Sequence, residues 1–246
     1  MDLTDDDAGC SPSLDPSTLM LLDFEAISGT TVPDLTGDHP GTLVGDLQLV
    51  PGRAGCGEAL RVPASSTGGH VAVPDSPDWE LDEGSIELWV RFDSPTDGKM
   101  SQGLISRDAN GTANEGHFSL IRACGGQIAV RLQRGGGNDM KCSKPVVEDR
   151  WYHVAVNFGS ETGLQLFIDG SEVDEQGKVG WYVPGNACNT TLQCGSTTDG
   201  GLEGNNNPWV IGNSSHVSDE GKATPLSTPV GGVIDQVRIS STTRSF

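Results

Sequence analysis

Apolar residues recur at every second position in short bursts along this chain, and a turn signal closes nearly every burst. The alternation predicts strands at Leu19–Phe24, Thr42–Val50, Ala59–Val62, His70–Val73, Ser85–Phe92 and Leu104–Arg107. It predicts further strands at His117–Arg122, Gln127–Gln133, Tyr152–Phe158, Leu164–Ile168, Trp209–Gly212 and Val233–Ile239. Pro51-Gly52, Gly68-Gly69, Gly125-Gly126, Gly135-Gly136-Gly137 and Asp169-Gly170 separate them. Asp169-Gly170 follows Leu164-Gln165-Leu166-Phe167-Ile168 and predicts a hairpin, because a two-residue primed turn needs positive φ. No stretch keeps a helical period, so a parallel sheet with crossover helices is excluded. The expected class is all-β, an antiparallel two-sheet β-sandwich.

One segment breaks the rhythm. From about residue 175 to 207 the chain is polar and rich in Gly, Asn and Thr, and reads as a long ordered loop on a single domain spanning 18–246. Residues 1–17 read as an acidic tether. No second hydrophobic core is evident.

Charge narrows the function. Thirty-four acidic residues against fifteen basic ones give a formal net charge of −19, which repels phosphate polymers and anionic lipid surfaces. No apolar run reaches the roughly 20 residues that span a bilayer. Nucleic acid and membrane insertion are therefore not expected as partners. The sequence does not speak to oligomeric state.

Six cysteines, Cys10, Cys56, Cys124, Cys142, Cys188 and Cys194, stand singly, without a C-x-x-C pair. An even set in an acidic, loop-rich chain points to disulfides and to a secreted or cell-surface location, with six free thiols as the alternative. Six cysteines allow fifteen connectivities. Local spacing favours Cys124–Cys142 across a hairpin and Cys188–Cys194 across a short loop, leaving Cys10–Cys56. The opening through Asp7 lacks the apolar run of a signal peptide, so an exported chain would carry its leader outside this sequence. Asn110, Asn189 and Asn213 head acceptor sequons that suit exposed loops.

Four segments in order resemble the laminin-G-like branch of the concanavalin A-like lectin/glucanase superfamily. They are Gly84-Ser85-Ile86-Glu87-Leu88-Trp89-Val90-Arg91-Phe92, Trp151-Tyr152-His153-Val154-Ala155-Val156, Leu164-Gln165-Leu166-Phe167-Ile168-Asp169-Gly170 and Gly232-Val233-Ile234-Asp235-Gln236-Val237-Arg238-Ile239. The resemblance, over roughly residues 19–241, implies a jelly-roll sandwich and a structural calcium ion as cofactor. Its ligands would be Asp235 and the carbonyls of Phe24 and Gly57. Asp235 also draws notice unaided: a carboxylate in the apolar run Val233-Ile234-Asp235-Gln236-Val237 needs a cation, an Arg or backbone donors if it is buried. Asp34 and Asp38 form a weaker second pair, read as ordinary turn residues.

Glucanases of the superfamily carry E-x-D-x-x-E, with the acids about 5 Å apart on one strand. Glu80-Leu81-Asp82 and Glu172-Val173-Asp174 begin that pattern, and each lacks the third acid. The chain is thus read as a non-catalytic module, with a polysaccharide-degrading enzyme as the remote alternative. Its partner is expected to be carbohydrate or another surface protein, the latter making it an interaction or spacer domain. Sugars need exposed rings beside amides. Trp181, Tyr182, Trp209, Asn205, Asn206 and Asn207 supply them, while Trp89 and Trp151 are assigned to the core. His153 is read as a structural histidine.

Overall fold

The computed structural model describes residues 12–53, 56–65, 69–96, 98, 100–107, 116–134, 137–183, 187–195, 200–217, 223–225 and 228–246. Two large antiparallel sheets face each other. With strands numbered in chain order, the first runs β14 (Ser171–Val173), β13 (Gln165–Ile168), β12 (Trp151–Gly159), β7 (Glu83–Phe92), β20 (Gly232–Ser240), β5 (Glu58–Val62) and β4 (Gln48–Pro51). β1 (Thr18–Leu22) also pairs with β20. The second runs β11 (Gly137–Pro145), β10 (Gln127–Arg134), β9 (His117–Arg122), β8 (Gln102–Arg107), β17 (Trp209–Ile211), β6 (His70–Val73), β3 (Gly41–Val44) and β2 (Thr31–Val32). A ribbon of β15 (Gly177–Val183) and β16 (Ala187–Cys194) and a hairpin of β18 (Ser215–Val217) and β19 (Ala223–Pro225) complete the fold. Among the described residues, helix is limited to one 3₁₀ turn at Pro77–Trp79.

The alternation read from the sequence becomes the core. Ile86, Leu88 and Val90 of β7, Val154 and Val156 of β12, and Ile234, Val237 and Ile239 of β20 face Phe118, Leu120, Val130 and Leu132 across the sandwich. Each is fully buried, and burying such a side chain is worth about 1.5–3 kcal/mol. The Asp169-Gly170 turn has φ of 50° and 77°, the primed geometry expected of it.

The expected single strand Thr42–Val50 is two strands in different sheets. Gly45 takes φ 77° just after β3, and the chain crosses the sandwich to enter β4 at Gln48. The expected loop at 175–207 is largely the β15–β16 ribbon, and it creates the second cluster that alternation did not show. Val179, Cys194 and Leu192 of the ribbon pack on Ile121, Ala123, Ala129, Met140 and Cys142, on the outer side of the second sheet.

The disulfide pairing is corrected as well. Cys124 bonds Cys188, and Cys142 bonds Cys194. Cys188 and Cys194 lie on one extended strand, where six residues span about 20 Å, far beyond disulfide reach. Their even spacing turns both thiols to one side, so each ties the ribbon to a different part of the sheet. Cys56 is disulfide-bonded, and Cys10 lies outside the described residues. Residues 12–17 of the expected tether lie on the body: the Arg238 guanidinium donates to the Ser13 carbonyl at 2.9 Å and Asp15 pairs with Arg244.

Candidate functional site

Asp235 owes its position to a β-bulge. The pairing of β20 with β7 slips between Asp235 and Arg238, and Gln236 adopts φ 49°. Next to core Ile234, Asp235 faces outward directly across from Trp89, and the extra residue Gln236 brings Val237 back into the core. There, beside Gly52 and Arg53, it is 2 % exposed and its Oδ1 has no hydrogen-bond partner among the described residues. Burial pushes its pKa up to about 7, and the Glu25 carboxylate adds to the rise. The N–H groups of Gln236 and Arg53 and the Arg53 guanidinium oppose it without prevailing.

The other expected calcium ligands stand in unusual backbone conformations. Phe24 holds φ 63°, a left-handed conformation rare for a bulky residue, and Gly57 holds φ 50°. The Gly57 carbonyl already accepts the Gly52 N–H at 2.9 Å. A Cβ on Gly52 would overlap the Cys56 carbonyl oxygen and lie 3.2 Å from Asp235 Oδ2, so these two oxygens converge on the bare glycine. Glu25, which sequence reasoning missed, accepts the Glu58 N–H at 3.0 Å and packs over Gly57. No spacing in the sequence marks it; the left-handed Phe24 aims it. Among the described residues no three His, Cys, Asp or Glu side chains converge as a metal cluster. A site of two carboxylates and main-chain carbonyls does not require one. An orphaned buried oxygen, a second acid and a glycine cradle fit a hard cation.

Asp34 is a turn residue. Its carboxylate accepts the N–H groups of Leu21 at 2.8 Å, Thr36 at 3.2 Å and His39 at 3.0 Å, and the Thr36 hydroxyl. Asn213 is fully buried, its amide donating to the Gly69 carbonyl and accepting from Ser214 and Thr228, so its sequon is not an exposed loop. Asn110 lies outside the described residues.

Beside Asp235, the same face of the first sheet carries a cleft of about 290 Å³ lined by Arg53, Glu87, Trp89, His153, Arg238 and Arg244, among others. Trp89, assigned to the core by its aromatic character, stands half-buried on this outer face under the Arg53 guanidinium at 3.9 Å. Trp151 is half-buried on the same side, opposite Arg91. The polar groups satisfy one another. Glu87 bonds His153 at 2.8 Å and lies 3.6 Å from Arg238 and 3.4 Å from Arg244. Burial raises the Glu87 pKa, but the His153 hydrogen bond and the cations outweigh it and hold it below the usual value. His153 is thereby a structural histidine.

The residues expected to bind a ligand lie apart from this cleft and, beyond the Asn205–Asn207 turn, are not shown to meet one another. Trp209 is fully buried, edge-on to Trp79 at 6.3 Å and Phe118 at 5.6 Å. Three-residue β17 is too short for alternation to reveal its facing. Asn205 and Asn207 form an Asx turn, the Asn205 amide bonding the Gly116 carbonyl at 2.6 Å and the Asn207 carbonyl accepting Arg107 Nε at 3.1 Å. This turn, with exposed Asn206, anchors at the start of β9 and the end of β8. Trp181 and Tyr182 belong to β15; their side chains lie outside the described part. Between turn and ribbon, the outer side of the second sheet carries Ser106, Ser119 and Arg131 in one cross-strand row and His117, Gln133 and Asn138 in the next; Asn138 is exposed, Arg131 half-buried and the other four are buried.

Solved structures share this architecture. The receptor-binding domain of botulinum neurotoxin mosaic serotype C/D superposes with a TM-score of 0.59 at 13 % identity, covering 93 % of this chain and 48 % of that one. The binding domain of Paraclostridial Mosquitocidal Protein 1 gives 0.59 at 15 % identity, over 93 % and 49 %. Trypanosoma rangeli sialidase gives 0.57 at 12 % identity, over 94 % and 31 %. This chain thus spans about half of the toxin domains and a third of the sialidase, and likeness at such identity is one of fold. No curated protein matches by sequence. The Laminin_G_3 model, described as concanavalin A-like lectin/glucanases superfamily, matches residues 65–201, more than half of the chain. With the sandwich, the register and the paired sheets as described, the chain belongs to the Laminin_G_3 family of that superfamily.

Proposed function

We propose that this sandwich is a non-catalytic, extracellular recognition module that binds carbohydrate on the outer side of its second sheet, with a calcium ion fixing Asp235. The observation that carries the ligand reading is half-buried Arg131 with exposed Asn138 on this side, flanked by the ribbon and the Asn205–Asn207 turn. An exposed amide beside a guanidinium offers the donors and acceptors that sugar hydroxyls use. The cleft on the first sheet suits this role less, because its charges are spent on one another. Bonded cysteines throughout the described residues support an oxidising compartment. At the bulge, Asp235 and Glu25 with the carbonyls of Phe24, Gly57 and Cys56 would hold the ion. Calcium bound there neutralises two carboxylates that otherwise repel each other.

An oligosaccharide array tests the reading. The expected result is retention of at least one glycan class, weakened tenfold or more in Trp181→Ala and Tyr182→Ala, and no release of reducing ends. An empty array from the disulfide-intact protein would favour an interaction or spacer domain, and reducing-end release would establish an enzyme.

A further inference from the structure

The chain has ten arginines, and nine of them face a carboxylate. Arg61 and Arg91 meet Asp93, Arg107 meets Asp75, Arg122 meets Glu148, Arg134 meets Asp139 and Arg150 meets Asp169. Arg238 and Arg244 share Glu87 and Asp15, and Arg53 acts on Asp235. Arg131 is the exception among the described residues, in a protein with more than twice as many acids as bases. Its guanidinium is half-buried in the middle of β10, across from Ser119 of β9 and Met140 of β11. Its contacts are two neutral amides: Nε donates to Asn138 Oδ1 and Nη2 to Gln133 Oε1, both at 2.8 Å.

These two bonds use one edge of the fork. Nε and one Nη2 hydrogen point along the side edge, which the amides occupy. The end edge, one hydrogen each from Nη1 and Nη2, has no acceptor among the described residues. That edge can take an oxyanion with two parallel hydrogen bonds. The amides lock the guanidinium plane in advance, so little rotamer freedom remains to be lost on binding. The apolar cluster of Ile121, Ala129 and Met140 beside it weakens solvent screening. Holding a desolvated cation without a counter-charge costs stability, and a ligand supplying the charge recovers it.

We infer that Arg131 is an anion-binding point, and that the ligand of this face is a saccharide bearing an oxyanion, a carboxylate or a sulfate ester. The inference rests on the carbohydrate reading of the same face and narrows it to acidic sugars. The chain's overall charge of −19 repels polyanions at large, so any that binds is captured locally.

Calorimetric titration with dextran, dextran sulfate and polygalacturonate tests it, using the whole disulfide-bonded chain, wild type and Arg131→Gln and Arg131→Lys. The expected result is at least tenfold tighter binding of one anionic polymer than of dextran, reduced to the dextran level in Arg131→Gln. Arg131→Lys should recover part of the difference, since it restores charge without the fork. Sulfate or carboxylate is then distinguished by which polymer binds. Equal binding of dextran and both anionic polymers, unmoved by either substitution, overturns the inference and leaves the carbohydrate reading standing. Anionic binding that survives in a folded Arg131→Gln also overturns it. No binding of these polymers together with an empty oligosaccharide array overturns both.

Discussion

Gln236 decides the chemistry of the closing strand. Without its left-handed turn the strand would continue in simple alternation and carry Val237 out of the core, away from the place it holds beyond Asp235. The raised pKa has a definite sign in stability. Between about pH 4 and pH 7 the folded chain keeps a proton on Asp235 that the unfolded chain, at 3.8, has released. Stability contributed below the unfolded value is therefore lost as pH rises through about 7, by up to about 4 kcal/mol for a shift of this size. In chelator, urea midpoints of the wild type should fall across that range, and those of Asp235→Asn should fall less. Adding calcium should restore the wild type at pH 7.5, by about 2.7 kcal/mol at a hundredfold excess over Kd, and leave Asp235→Asn unmoved. Midpoints indifferent to pH, calcium and the substitution would refute the assignment. The sequence showed Asp235 as anomalous because a carboxylate interrupts an apolar run. Glu25 and the Cys56 carbonyl were hidden because main-chain direction, not residue type, brings them there.

Strands long enough to alternate were readable, and short or covering ones were not. β7 and β12 announce their two faces over nine or ten residues, whereas β17 offers three residues, all buried. The ribbon hid for a different reason. Polar, Gly-rich sequence resembles a loop, and the ribbon's cohesion comes from thiols whose partners lie 52 and 64 residues away. Each bridge closes a long loop, and the chain-entropy model gives about 4 kcal/mol for one of this length. Unreduced peptide mapping should recover Cys124 linked to Cys188 and Cys142 linked to Cys194. The double variant Cys124→Ser/Cys188→Ser should lower the guanidinium midpoint while the Cys142–Cys194 bridge still holds the ribbon over Met140. Recovery of a Cys188–Cys194 peptide, or an unchanged midpoint, would contradict this arrangement.

At the scale of the whole molecule, both ends of the described chain are tied to the first sheet by charge as well as by pairing. β1 lies on β20, the Ser241 N–H donates to the Ser17 carbonyl at 2.8 Å, and Arg244 brackets Asn157 with main-chain bonds of 2.9 and 3.1 Å. Arg244 also pairs with Asp15 and Glu87, and Arg238 bonds the Ser13 carbonyl, so one guanidinium pair fastens both segments. The hydrogen bonds from Ser17 and Arg244 hold the Asp15 carboxyl well below its usual range, and Glu87 is lowered too. Lowered carboxylates contribute stability present above their unfolded values and lost as pH falls through the folded ones. In chelator, this loss on the acid side and the Asp235 loss on the neutral side leave maximal stability near pH 4–5. Calcium should move that maximum toward neutrality. Replacing Arg244 by Ala removes a partner from both acids while the Asn157 bonds, made by main chain, persist. The expected cost is about 1–3 kcal/mol at pH 6, since the pairs are only partly exposed. It should shrink as pH falls below the ordinary carboxylate range and the acids take up protons. Urea titrations of wild type and Arg244→Ala at stepped pH measure the difference directly. A gap that stays constant down to pH 2 would mean that Arg244 acts through packing, and that charge does not fasten the termini.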